Sequence, residues 1–244
     1  MAINPLETVE ITFPQQPVEV NFVFCEHGRS KDLSDRFGEL AAEADIIALE
    51  TVAWSDEGAK LRQAVADGDR EALRELSSLL PVSPYGGFWR KVHRSIFDTK
   101  AQLHYPEAPQ NHSIANDYIT AVDREVMAIS VRNISSAPVP PANLISMLTE
   151  TLSAIAARDV YTLSHLFPDE LPKRDEKIKY LGMFGLVHRG LAKVVLSQAE
   201  AQGRPDIEVI SYESGGVNVE PYENYLLGVP PTAEDVVSYY GLKQ

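Results

Sequence analysis

Cysteine is nearly absent from this chain. One residue, Cys25, serves 244 positions, which excludes an intramolecular disulfide and with it a disulfide-stapled scaffold or a multi-cysteine zinc site. Long hydrophobic runs are missing as well. Although 44% of the residues are hydrophobic, charges interrupt every stretch short of the ~18 apolar residues that span a bilayer. The start of the chain, Met1-Ala2-Ile3-Asn4-Pro5, lacks the basic region and apolar stretch of a secretory signal. Positive charge is also scarce, with 22 Lys and Arg against 35 Asp and Glu for a net charge of −13. A surface of that sign suits neither nucleic-acid phosphates nor an anionic membrane. No His-Glu-x-x-His and no Gly-x-Ser-x-Gly occurs, which removes the common zinc-protease helix and the serine nucleophile elbow. The expectation is a cytoplasmic protein with a small-molecule or peptide substrate, no nucleic-acid or membrane partner, and self-association left open.

What is present is a repeated strand-to-helix grammar. Val18-Glu19-Val20-Asn21-Phe22-Val23-Phe24-Cys25 alternates and then becomes continuously apolar, as a strand does on entering the middle of a sheet. Leu33, Phe37, Leu40 and Ala44 follow at helical spacing, and Asp45-Ile46-Ile47-Ala48-Leu49-Glu50 reads as a second buried strand. Strand, helix and strand in so short a length predict a parallel βαβ unit whose strands end on one edge of the sheet. The stretch Lys177 to Gly185, followed by Leu186-Val187-His188 and a helix carrying Leu191, Val194 and Val195, repeats that logic before the strand Ile207 to Tyr212. Between the two units, residues 57–80 read as helix broken at Asp67-Gly68-Asp69, and residues 113–130 and 144–155 as further helices. The chain therefore reads as a single α/β domain over 1–244, a mainly parallel central sheet flanked by helices, with a mostly helical insertion or lid over 57–165. From Glu213 onward the tail reads as turns and surface segments.

In open α/β sheets the ligand crevice lies outside the carboxyl ends of the strands. Glu26 and His27 leave the first strand there, Glu50 closes the second, and His188 opens the helix after the later one. Two imidazoles and two carboxylates suit water activation by a His base. They equally suit a divalent Mn, Co, Zn or Fe ion held by Glu26, His27, Glu50 and His188. Against these stand plainer roles: a histidine capping a helix, or Glu50 paired with an arginine.

The order of these elements resembles the TraB/Tiki and erythromycin-esterase/ChaN-like superfamily. Phe24-Cys25-Glu26-His27 stands where that family has Gly-x-x-His, keeping the His but not the Gly. Glu50 matches the acid closing a short apolar strand, and Arg158-Asp159 matches an Arg-Asp or Arg-Asn pair on a late helix, with Arg174-Asp175 a poorer fit. Gly185-Leu186-Val187-His188 matches the second Gly-x-x-His in full. The resemblance spans about 30 residues near the start and about 50 near the end. It implies an α/β fold with a polar site over the sheet, used for ester hydrolysis, metal-dependent peptide cleavage or haem-related binding. On that basis the expected site is Glu26, His27, Glu50, Arg158 and His188. One His activates water, the glutamates orient it or hold a metal, and Arg158 or Arg189 meets a developing oxyanion. The reading is a hydrolase of an ester or amide bond, metal-dependent or not. Its alternative is a non-catalytic ligand-, metal- or haem-binding protein of the same fold.

Other candidates are weaker. Cys25 lies within a strand and reads as a buried, inert thiol. Phe88-Trp89-Arg90-Lys91-Val92-His93-Arg94 is either a cover for a substrate anion or an amphipathic helix. His104 and His112 flank a Pro-rich loop, and His165 sits beside Leu163 and Leu166 as a core or surface histidine.

Overall fold

A computed structural model describes residues 9–25, 31–50, 56–79, 84–107, 141–172, 176–215, 219–232 and 234–235, with six helical positions between 113 and 124. At 31–32, 56–58, 84–86 and 141–144 it describes the backbone only.

Five strands form one sheet: β1 (Val18–Cys25), β2 (Ile46–Leu49), β3 (Gln102–His104), β4 (Ile178–Gly185) and β5 (Ile207–Ser214), in the order β3-β2-β4-β1-β5. Every pairing is parallel, so all five carboxyl ends share an edge. β1 and β4 hold the middle because their near-continuous apolar runs tolerate burial on both faces. Their register sets Cys25 opposite Gly185, while Leu49 of β2 lies opposite Met183. The expected first βαβ unit is parallel, with β4 lying between its two strands.

Side chains alternate between two layers, as the two-residue period of a strand requires. Even-numbered Val18, Val20, Phe22 and Phe24 join a cluster with α5 (Pro141–Ser164), α6 (Gly190–Ala201) and α7 (Glu220–Leu226). Odd-numbered Val23 and Cys25 join Ile47, Leu49, Leu181 and Met183 in a second cluster. That cluster is covered by α1 (Lys31–Glu43), α2 (Asp56–Ala66), α3 (Arg70–Leu79) and α4 (Pro84–Ile96).

Within the expected 57–165 insertion, α2, α3 and α4 thus form one face of the domain core, and the same segment supplies β3, a strand too short to read from periodicity. The break between α2 and α3 falls where expected, at Gly68 with φ of 65°. α4 resolves the aromatic and basic stretch as an amphipathic helix: Phe88, Trp89, Val92 and Ile96 are buried and Arg94 is exposed. Trp89 offers no surface to a ligand. The tail departs from the expectation of turns and surface segments. α7 buries Pro221, Tyr222 and Leu226, and its seven residues are too few for a periodic signal. Among the described residues no helix is long and apolar enough to cross a membrane.

Two positions in this core generate tests. Gly182 lies opposite Phe22 in the register, and a Cβ there would come within 2.7 Å of Phe184 and 3.1 Å of Phe22. Gly182→Ala should lower stability by about 1–3 kcal/mol in chemical denaturation, and an unchanged midpoint would refute this packing. The second position is His93, fully buried between α3 and α4. Ser77 Oγ donates to Leu73 O at 2.5 Å, so its lone pair accepts from His93 Nδ1–H at 2.7 Å. His93 Nε2 has no partner among the described residues, and burial pushes its pKa down from 6.5 to about 4. The unfolded chain takes up this proton before the folded one, so stability present above pH 6.5 is lost as the pH falls toward 4. His93→Leu should flatten that part of the pH–stability curve; an unaltered slope would count against it.

Candidate functional site

Three strands and one helix deliver five ionisable side chains to one point on the carboxyl edge. Glu50 follows β2 directly, its own N–H donating to Met183 O at 2.9 Å, so the neighbouring strand fixes its backbone. Glu107 lies three residues past β3, and His188 closes the 3-10 turn Leu186–His188 that follows β4. Arg158 and Asp159 come from α5, whose buried stripe is unusual in carrying Thr151, Arg158, Asp159 and Thr162 among Leu148, Leu152, Ile155 and Leu163. The helical spacing turns all of these positions toward the sheet. The five ionisable side chains are only 1–7% exposed.

Their contacts form a closed network. Arg158 Nη2 donates to Glu50 Oε1 at 3.1 Å and also to Glu107 Oε1. Glu50 Oε2 accepts from the backbone N–H of Gly185, tying β2 to the end of β4. Glu107 Oε2 accepts from Tyr105 Oη at 2.9 Å, and the Arg62 guanidinium lies 4.5 Å over the Tyr105 ring. His188 Nδ1 meets Asp159 Oδ1 at 2.5 Å, which directs Nε2 toward Glu50 Oε1 at 3.6 Å and Arg158 Nη1 at 3.3 Å.

The protonation of His188 follows from charge balance. Burial pushes its pKa down, but the Asp159 charge and hydrogen bond, with help from Glu50, outweigh both burial and the opposing Arg158 charge and raise it from 6.5 to about 10. The 3.3 Å approach of Arg158 Nη1 to Nε2 would be a hydrogen bond only with a neutral ring. The Asp159 and Glu50 carboxylates on either side of the ring favour the imidazolium, and in that state the two nitrogens are packed donors while Nε2–H points at Glu50.

The structure thus brings together three of the residues expected from sequence, Glu50, Arg158 and His188. Glu26 and His27, the other two, lie outside the described residues, as do His112 and Arg174-Asp175. Arg158 is spent on partners within the network, so a role facing substrate would require its release. Arg189 is paired too, with Glu223 at 2.6 Å and Glu213 at 3.3 Å. Cys25 is the inert thiol expected: burial, then the Glu50 charge, push its pKa far up. His104 Nε2 donates to His165 O at 2.7 Å beyond the end of α5, and His165 is exposed and stacked on Tyr161.

Glu107 was not among the residues expected. Its sequence signal is a third acid a few residues after a short apolar segment, and β3 is only three residues long. Elsewhere, a cleft of about 640 Å³ opens at the amino edge beside Asp45, Arg94, Asp98 and Lys100. Arg94, Asp98 and Lys100 are exposed, so that cleft lacks the desolvation that gives the opposite edge its chemistry.

Glu50, Glu107 and His188 each offer a ligand atom, all within 4.8 Å of one another. Oxygen and imidazole donors suit Mn, Fe, Co or Zn, and a carboxylate on the far ring nitrogen is the usual support of a metal-binding His. Family models, curated proteins and solved structures gave no match to this chain.

The Asp159–His188 contact has a pH signature. The folded pKa of His188 lies above the unfolded 6.5, so its stabilisation is complete below pH 6.5 and is lost as the pH rises through about 10. In chelator-treated buffer, the melting-temperature gap between the parent chain and Asp159→Asn should be wide at pH 6 and narrow toward pH 10. A gap of constant size would show that the ring is neutral throughout.

Proposed function

We propose that this chain is a hydrolase of an ester or amide bond, working at the edge formed by Glu50, Glu107, Arg158, Asp159 and His188, with Glu26 and His27 as the further site residues expected from the sequence. The observation that carries the reading is the burial of five mutually contacting ionisable groups at the carboxyl ends of three parallel strands. Buried charge networks are poor stabilisers compared with apolar packing, and this is the place in the fold where ligands bind. The four motifs resembling the TraB/Tiki and erythromycin-esterase/ChaN-like superfamily support the same reading.

Hydrolysis requires water oxygen to add to the carbonyl carbon, its proton to reach a base, and the leaving oxygen or nitrogen to gain a proton. His188, held as an imidazolium by Asp159, is the proton donor to the leaving group through Nε2–H. His27 is the base. Asp159 and Glu50 orient the His188 ring, and Arg158 holds the Glu50 and Glu107 carboxylates in place. In the metal-dependent form of this reading a divalent Mn, Co, Zn or Fe ion would replace those proton transfers: Glu50, Glu107 and His188, with Glu26 and His27 as the further ligands expected, would hold it in place of the Arg158 contact, and it would acidify water and polarise the carbonyl. The substrate is a small molecule or peptide rather than nucleic acid, in keeping with the net charge of −13. A cytoplasmic location belongs to the same proposal and accords with a lone, buried cysteine.

A second reading, metal binding without turnover, draws on the compact set of three ligand atoms. A panel of activated esters and short peptides, assayed with chelator and with added Mn or Zn, separates the two. Turnover should fall at least 100-fold in His188→Ala and in His27→Ala while circular dichroism stays unchanged. Undiminished turnover in both variants would sink the hydrolase reading, and stoichiometric metal with no turnover would favour the second.

A further inference from the structure

The atoms that suit a divalent ion are already in use by the chain's own cation. Glu50 Oε1 and Glu107 Oε1 both accept from Arg158 Nη2, and His188 Nε2 lies 3.3 Å from Arg158 Nη1. These are the same three side chains whose ligand atoms fall within 4.8 Å of one another. A guanidinium and a divalent ion cannot both occupy so small a volume, because like charges at such distances in a desolvated site repel strongly. Arginine is also the side chain able to stand in for an ion here. Its planar fork reaches two carboxylates at once, and its long stem lets the head move while the helix stays in place.

We propose that the Arg158 guanidinium is an exchangeable occupant of a divalent-cation site made by Glu50, Glu107 and His188, so that the ion enters as the guanidinium leaves. The inference rests on the reading that this edge takes a metal, and adds how the empty site is kept. Without an ion, the two buried carboxylates are neutralised by the protein itself and the fold does not wait on metal supply. Loading then requires an ion that outcompetes a resident cation and displaces the Nε2 proton of His188 to solvent, so that the imidazole nitrogen can ligate it. Mg and Ca, which favour all-oxygen shells, are disfavoured, and Zn or Mn is favoured. Asp159 stays on His188 Nδ1 in both states, so the ring keeps its orientation through the exchange.

The test is calorimetric titration of zinc sulfate and of manganese chloride into the parent chain, Arg158→Ala and Arg158→Met, with His188→Gln as the control for ions bound elsewhere on an acidic surface. Removing the competing cation should tighten metal binding at least tenfold in both Arg158 variants and not in His188→Gln. Guanidinium chloride at low millimolar concentration should weaken that binding in Arg158→Ala and leave the parent chain unaffected. Equal affinity in the parent chain and the variants, or folded variants that bind neither metal nor guanidinium, would overturn the proposal.

Arg158→Ala takes a cation away from two buried glutamates, so its folding is monitored by circular dichroism. If it is unfolded in chelator, recovery of the helical signal on adding zinc or guanidinium supports the exchange, and recovery with neither overturns it. The outcome is separable from that of the hydrolase reading. Tight, guanidinium-sensitive metal binding without turnover of any ester or peptide retires the hydrolase and keeps the exchange. Turnover indifferent to chelator, with no affinity gained in the variants, does the reverse.

Discussion

Everything at the carboxyl edge depends on one guanidinium. Arg158 reaches from α5 to Glu50 after β2 and Glu107 after β3, and it gives both buried carboxyl groups an opposite charge in a place without solvent. Truncating one member of such a buried set costs about 3–5 kcal/mol, because the other members keep their charge and lose their counterion. Each glutamate also uses its second oxygen on the fold, Glu50 on the Gly185 amide and Glu107 on the Tyr105 hydroxyl. The charged cluster and the ends of three strands are therefore a single construction. Shifting any one strand breaks hydrogen bonds in the cluster, and discharging the cluster loosens the strands.

Two buried histidines show how the surroundings decide what burial does. His93 and His188 are both shielded from water, yet one is pushed down to about 4 and the other up to about 10. The difference is the counter-charge. His93 faces the neutral Ser77 hydroxyl and the edge of Trp89's neighbourhood, so desolvation acts unopposed. His188 faces Asp159 and Glu50, and their attraction overcomes the same penalty. The two layers of the domain thereby divide the work. On the α3–α4 side His93 meets neutral groups, and on the α5 side His188 meets the charges that α5 and the strand ends bring.

Much of this was legible in the sequence where burial left a simple pattern. β1, β2, β4 and β5 announced themselves as apolar or alternating runs, α1 by its spacing, and the break at Gly68 by its turn residues. Glu50 was readable because it sits immediately beyond a strand, His188 because it closes a Gly-x-x-His turn between a strand and a helix, and Arg158 only through the resemblance of Arg158-Asp159 to a family motif. Glu107 was not readable: three residues of β3 carry no period, and the intervening Tyr105-Pro106 looks like any loop. α7 was hidden for the same reason, being seven residues long and opening with Pro221. Chemistry that arises from mutual approach, such as one guanidinium shared by two carboxylates more than fifty residues apart along the chain, has no local sequence signal at all.

The strand order has a consequence for how the chain comes to be folded. β1 has β4 and β5 as its neighbours, and β2 has β3 and β4, so among the described residues β4 joins the two parts of the sheet. While the ribosome is still making the segment before Ile178, β1 has no partner and β2–β3 is an isolated pair of very short strands. Parallel pairings across such separations are slow to find, and the waiting chain exposes the apolar runs that later fill the middle of the sheet. Commitment to the native topology therefore awaits β4, a strand made more than 150 residues after β1.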